Sequence, residues 1–308
     1  MTSTTTARIE RLNTASANRV VDPDVEVPGG PTRAQVLPDE LLSVHGLDLD
    51  LSPEQRATLS REEIASIAIS GVQFEAVLTA GFGYEIATSG NLRDPRVTFK
   101  FHEIGEESRH SRLFLRMIDA LEPAAQNPLD RPLLNRLLRM GVRNIIRRPA
   151  LLYTLVLGGE EIPDLLQKLA SEHPETDEFV RAVNKYHRME EARHLSYARA
   201  VLPEVWERAS WDDRFAVRRI APMVIQGMFD TLVHPGVYET IGLDGWATWK
   251  AVKRTPERIA LRHRATRPVL AALVDAEILR PGRIPRGWQR LTGVDRNGDY
   301  QETSSQPR

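Results

Sequence analysis

Two short blocks of the chain share the letters Glu-Glu-x-Arg-His, one from Glu106 to His110 and one from Glu190 to His194. Within each, a glutamate and a histidine stand three apart: Glu107 with His110, and Glu191 with His194. On a helix that spacing leaves the two side chains about 60° apart, so both can reach one point. Carboxylate oxygen and imidazole nitrogen meeting at a point are donors for a divalent metal. A single Glu-x-x-His is ordinarily a solvated pair, but two copies 84 positions apart ask for a common cause.

The elements that must carry these blocks are legible from caps and periodicity. Ser52-Pro53-Glu54-Gln55 and Ser60-Arg61-Glu62-Glu63 both fit a capping box, so a helix start is expected at each. From Arg61, apolar residues recur at three- and four-residue steps until Ser89-Gly90-Asn91. Asp94-Pro95 opens a second helix that runs to Pro123. After a proline-rich join and a further helical stretch, Pro149 opens a third long helix, apolar on most sides, which Pro163 is expected to kink. A fourth runs from about Glu178 to Val201. Further helices follow, and alternating β-branched runs are scarce, so the fold class is all-α.

Each block thus lies in the second helix of an antiparallel hairpin, and the facing position on the first helix follows by reflection across the turn. Reflecting Glu107 across a turn near Asn91 reaches Glu75. Reflecting Glu191 across a turn near Glu175 reaches Glu160 or Glu161. Glu160 matches better, because it precedes Glu191 by 31 residues as Glu75 precedes Glu107 by 32, although helical phase leaves Glu161 open. One Glu from each of two helices and Glu-x-x-His from each of two others is the donor pattern of ferritin-like di-iron or di-manganese bundles. Two divalent ions would offset four buried carboxylates, each costly to bury alone. Glu106 and Glu190 are placed to hydrogen-bond the free imidazole nitrogen of the opposite block. Arg109 and Arg193 balance them or lie in surface ion pairs.

His187 adds an asymmetry. It lies four residues before Glu191 and seven before His194, on the same helix face, where the first block has Glu103. With this H-x-x-x-E-x-x-H pattern the chain resembles the AurF-type p-aminobenzoate N-oxygenase family of di-iron enzymes, over about Ser60 to Pro203. The resemblance implies a ligand set of Glu75, Glu107, His110, Glu160, His187, Glu191 and His194. One departure is Glu, where ferritin-like sites often have Asp, before each Glu-x-x-His. The resemblance also implies a ferritin-like bundle with additional C-terminal helices and two iron ions, manganese being chemically compatible. It implies O2 as co-substrate, a peroxo-diferric intermediate, and oxidation of a small amine, free or carrier-tethered, to hydroxylamine or nitro products. Other di-iron hydroxylases and a ferritin-type ferroxidase are the alternatives, and the latter has no need for His187.

Composition narrows the remaining classes. The 308 residues contain no cysteine, which removes disulfides and thiolate metal sites, and the formal net charge is −1. That balance argues against nucleic acid and against an anionic membrane as partners. The start "MTSTTTARIERLNTASANRV" lacks an apolar signal core, and no uninterrupted apolar run approaches the ~18 residues of a membrane span, so a cytoplasmic location is expected. No dinucleotide fingerprint is present, so electrons should come from an external donor; a homodimer is compatible with all of this. The expected layout is a loose arm over residues 1–37, a single helical domain over 38–296, and a polar tail over 297–308. His45, His102, His173, His234 and His263 read as structural, Trp246, Trp249 and Trp288 as packing anchors, and the basic runs "NIIRRPA" and "VRRIAP" as helix-surface charge.

Overall fold

The structure, a computed structural model, describes residues 3–301. In chain order the helices are α1 (Ser3–Ala17), α2 (Pro23–Glu26), α3 (Pro53–Ala87), α4 (Pro95–Leu121), α5 (Pro132–Ile145), α6 (Pro149–Glu172), α7 (Glu178–Glu207), α8 (Trp211–Phe215), α9 (Ala221–Thr231), α10 (Pro235–Glu239), α11 (Gly245–Val252), α12 (Pro256–Asp275) and α13 (Arg286–Thr292). Among the described residues the one β feature is an isolated antiparallel bridge between Val294 and Tyr300. The fold is all-α and has the organisation of a ferritin-like helical bundle.

Four long helices make the bundle. α3 packs on α4 and α6 on α7 as antiparallel hairpins, while α4–α7 and α3–α6 contacts join the hairpins to each other. Local chemistry sets the starts. Ser52 and Gln55 form a reciprocal capping box ahead of α3, Asp94 accepts from the Arg96 N–H ahead of α4, and Asp177 accepts from the Val180 N–H ahead of α7. At the end of α4, Glu122 turns left-handed (φ 50°) just before Pro123.

Several expectations need correction. Ser60 starts no helix: it lies inside α3, donates to the Ala57 carbonyl and accepts from the Val36 N–H, because the Ser52 cap already opened the helix two turns earlier. The described part of the expected arm, residues 3–37, is not loose. α1 packs on α4 and α7 with Ile9 fully buried, and the Asn13 amide donates to the Pro95 carbonyl. Beyond it, Val27 and Val36 are buried, and the Asp177 N–H bonds the Val36 carbonyl. Polar composition hid a helix whose few apolar residues face the bundle. At the other end Tyr300 is covered by the Arg267 guanidinium, 3.5 Å from the ring centroid; residues 302–308 of the expected tail, like Met1 and Thr2 of the arm, lie outside the described residues.

α6 continues past Pro163 and α7 past Pro203, held by their neighbours on the bundle. α3 is long and apolar enough, by length and composition, to cross a membrane. In the structure it is a bundle helix with Glu62, Glu63 and Glu75 buried along it. The C-terminal helices close the core from one side: α9 and α12 pack on α6, and the buried Trp288 donates its indole N–H to the Val217 carbonyl.

Candidate metal centre

All seven glutamates and histidines singled out by spacing are buried, and they meet where α3, α4, α6 and α7 face one another. They fall into two groups whose candidate ligand atoms lie within 4.8 Å of one another: Glu75, His110 and His187 in one, and Glu107, Glu160, Glu191 and His194 in the other. Glu161 turns aside and pairs with Arg199.

The two blocks interlock across the α4–α7 contact. His194 Nδ1 faces inward, 3.0 Å from Glu191 and 3.2 Å from Glu107, while its Nε2 is 2.7 Å from Glu106 of the other block. His110 does the reverse, with Nδ1 3.1 Å from Glu191 and 3.3 Å from Glu107, and Nε2 2.9 Å from Glu190. Each outer carboxylate is held by an arginine from the opposite helix, Arg109 on Glu190 at 3.1 Å and Arg193 on Glu106 at 2.9 Å. The arginines therefore bridge helices, and the pairs are not surface ones.

His187 is oriented differently. Its Nδ1 is 2.9 Å from the Gln167 carbonyl oxygen, which leaves Nε2 inward, 3.4 Å from both Glu75 and Glu191. Gln167 went unnoticed in the sequence, although it lies seven residues after Glu160, two turns along the same face of α6. Ser111, which donates to Glu75, and Glu103 were likewise missed as parts of the centre. Glu103 is fully buried, 4.0 Å from His194 Nδ1, and both its oxygens lack a hydrogen-bond partner.

The protonation pattern shows how much charge is packed here. Burial raises Glu160 well above the usual carboxylate range, with like charge on Glu191 adding to it, and raises Glu75 despite a bond to His187. Burial likewise pushes Glu103 up to about 8. At Glu106 burial acts in the same direction, yet the His194 bond and Arg193 outweigh it and bring the group to about 2. Burial disfavours charge on His110 and His194, but bonds and attraction to the surrounding glutamates overcome it and hold both well above their ordinary value. Burial and crowding thus favour protons on Glu160, Glu75 and Glu103 as well as on these two rings.

The residues fit a pair of metal ions. Buried oxygens of Glu107 and Glu191 have no hydrogen-bond partner, and each of the three histidines keeps one nitrogen turned inward while an oxygen acceptor holds the other. Oxygen and imidazole donors without thiolate suit iron or manganese. Buried polar atoms left orphaned at such cost imply a missing partner.

Beside the centre lies an apolar cavity of about 350 Å³. Glu75, Glu160 and His187 form one wall, and Phe74, Phe114, Leu155 and Val156 line much of the rest. Gly158 and Gly159 shape it: a Cβ on Gly159 would run into the Phe74 ring, and one on Gly158 would press on Ile225. A larger polar cleft of about 830 Å³ touches none of the seven residues.

A bundle whose interior holds facing imidazoles and carboxylates defines the class, a ferritin-like protein built around two groups that could each hold a metal ion. The chain belongs to the family described as P-aminobenzoate N-oxygenase AurF, which it matches over residues 2–277. It is also similar to uncharacterized proteins of Mycobacterium bovis and Mycobacterium tuberculosis, each 27% identical over 190 residues, or 60% of this chain and 54% of theirs. The chain thus spans about half the length of these curated relatives.

Proposed function

We propose that this protein is a di-iron oxygenase that transfers one oxygen atom from O2 to the nitrogen of a small, largely apolar amine. The observation that carries the reading is the third imidazole: His187, pinned by Gln167, turns Nε2 toward Glu75 and Glu191 at the edge of the apolar cavity. A centre that only oxidised and released iron would need neither this ring nor the cavity. Membership of a family named for an N-oxygenase supports the same reaction class.

Two irons would be held by Glu75, Glu107, His110, Glu160, His187, Glu191 and His194. When bound, they supply O2 binding and reduction and delivery of oxygen to the substrate. In the first turnover the amine and O2, with two electrons and two protons, give the hydroxylamine and water. The electrons come from a separate donor protein or small carrier.

The chain's own residues do the rest. Glu106 and Glu190 fix the tautomers of His194 and His110 by accepting from Nε2, so that Nδ1 is free to donate a lone pair. Arg193 and Arg109 keep those carboxylates ionised and in place. The apolar cavity wall disfavours water beside the centre, which would limit loss of reducing equivalents to side reactions. Among the described residues lining the cavity there is no lysine or arginine, and the polar ones include Ser70, Gln73, Gln167, Asn184 and Thr231. An aminobenzoate carboxylate would have no lysine or arginine to pair with there, and an alkyl amine would enter as a cation, so the substrate class is an uncharged arylamine.

The test is to load the protein anaerobically with ferrous iron, add O2, a chemical reductant and an uncharged arylamine, and analyse products by mass spectrometry. Amine-dependent hydroxylamine or nitro product supports the reading. Iron that binds and oxidises while the amines return unchanged would move the protein to the ferroxidase class.

A further inference from the structure

Helix α5 is unlike every other long helix of this fold. None of its residues is buried, and Leu133, Leu137 and Met140 are 69%, 55% and 53% exposed. From Arg131 to Gly159 the chain carries six arginines and no acidic residue, although its overall net charge is −1.

The helix sorts these residues into strips. At ~100° per residue, Arg136, Arg139 and Arg143 fall within ~60° of one another. Met140, Leu133 and Leu137 occupy the next ~60°, open to solvent, and Ile145, Leu138 and Val142 lie beyond them. That last strip lines the apolar cavity. Arg136, Arg139, Arg143 and Arg147 are exposed, and none of them takes part in an ion pair among the described residues. At the far end, the Arg148–Asp212 ion pair (2.8 Å) sets α8 beside the end of α5. α8 exposes Trp211 by 80% and stacks it on Phe215, ring centroids 5.8 Å apart.

We propose that α5, with the α8 aromatics, seats the protein on the surface of an anionic lipid bilayer. An exposed leucine strip flanked by arginines, with an aromatic pair at its end, is the pattern of helices that lie in a membrane interface. Charge selects this occupant: a second copy docked α5 to α5 would bring like-charged arginine strips together, whereas anionic headgroups neutralise them. The expectation of no membrane partner rested on whole-chain charge, which averages this strip away. Seated this way, the Leu138–Val142 side of the helix brings the cavity mouth to the lipid boundary, a direct entry for an apolar amine. That entry route rests on the function proposed above; the docking does not, and the experiment reads docking alone.

The full-length protein is sedimented with vesicles of phosphatidylcholine alone and of equal parts phosphatidylcholine and phosphatidylglycerol. Binding to the anionic vesicles, weakened by salt and much weaker on phosphatidylcholine alone, is the expected result. Arg136→Glu combined with Arg139→Glu should weaken it by a factor on the order of a hundred, and Leu137→Asp should reduce it at unchanged helical circular dichroism. No binding to anionic vesicles at low salt overturns the proposal. So does binding indifferent to lipid charge or to the arginine reversals, or a solution dimer that Leu137→Asp dissociates.

Discussion

The two hairpins carry the same Glu-Glu-x-Arg-His block, yet they are not equal halves. Where α7 places His187 four residues before Glu191, α4 places Glu103 four residues before Glu107. His187 has Gln167 on one nitrogen and two glutamates before the other. Glu103 has no hydrogen-bond partner on either oxygen. The cavity follows this difference, since it is walled by His187, Glu75 and Glu160 and not by Glu103, Glu107 or Glu191. A near-symmetric scaffold can assemble two groups able to hold metal, and on the function proposed above the departure at His187 marks the face at which a substrate would approach.

Loss of a member shared by both hairpins should have the largest effect. Glu107→Ala or Glu191→Ala should cost at least one of the two proposed metals and the proposed oxygenase activity with it, as read by metal analysis of the purified variants. Two tightly bound metals in both variants would remove the proposed centre. Next come the crossed carboxylates: Glu106→Gln and Glu190→Gln should each weaken metal binding by about 10–100-fold, and by similar factors, because they play equivalent parts. A large inequality in titrations with ferrous iron would mean that the halves differ here too.

The asymmetric pair then separates. His187→Ala should retain both metals but change the rate at which the loaded protein reacts with O2 in rapid-mixing absorption; an unaltered rate would make His187 a packing residue. Glu103→Gln should retain both metals and leave that rate within about threefold, given that outer groups matter chiefly through ligand bonds that Glu103 lacks. The smallest effect concerns a buried acid away from the centre. Burial raises Glu63 to about 7 against bonds from Ser43. Its folded value lies above its unfolded one, so its contribution to stability is full below about pH 4.5 and is lost as pH rises through 7. Glu63→Gln should flatten that part of the stability profile in metal-free protein, measured by urea unfolding across pH 4.5 to 8.

The reach of sequence reasoning was uneven in an instructive way. Long periodic helices with Ser or Asp caps and a following proline could be read directly, because those signals are local. α1 could not, since its value to the fold lies in the burial of Ile9 and the bond of Asn13 to Pro95 of α4, which no local pattern in a Thr-rich segment reveals. Ser60 misled for the converse reason: a capping-box pattern is necessary for that cap and not sufficient once an upstream cap has begun the helix.

Residue type and helical spacing suffice for the repeated blocks, the all-α class, the lack of cysteine ligands and the family resemblance. Packing was needed to show that Glu160 faces the cluster while Glu161 pairs with Arg199, because adjacent residues differ by ~100° of helix rotation and packing sets the absolute angle. It also decided that Gln167 anchors His187, that Arg109 and Arg193 reach across helices, and that one wall of the cavity is formed by the centre itself. Those are relations between residues far apart in the chain, fixed by which helix faces which, and helical periodicity alone carries no information about that choice.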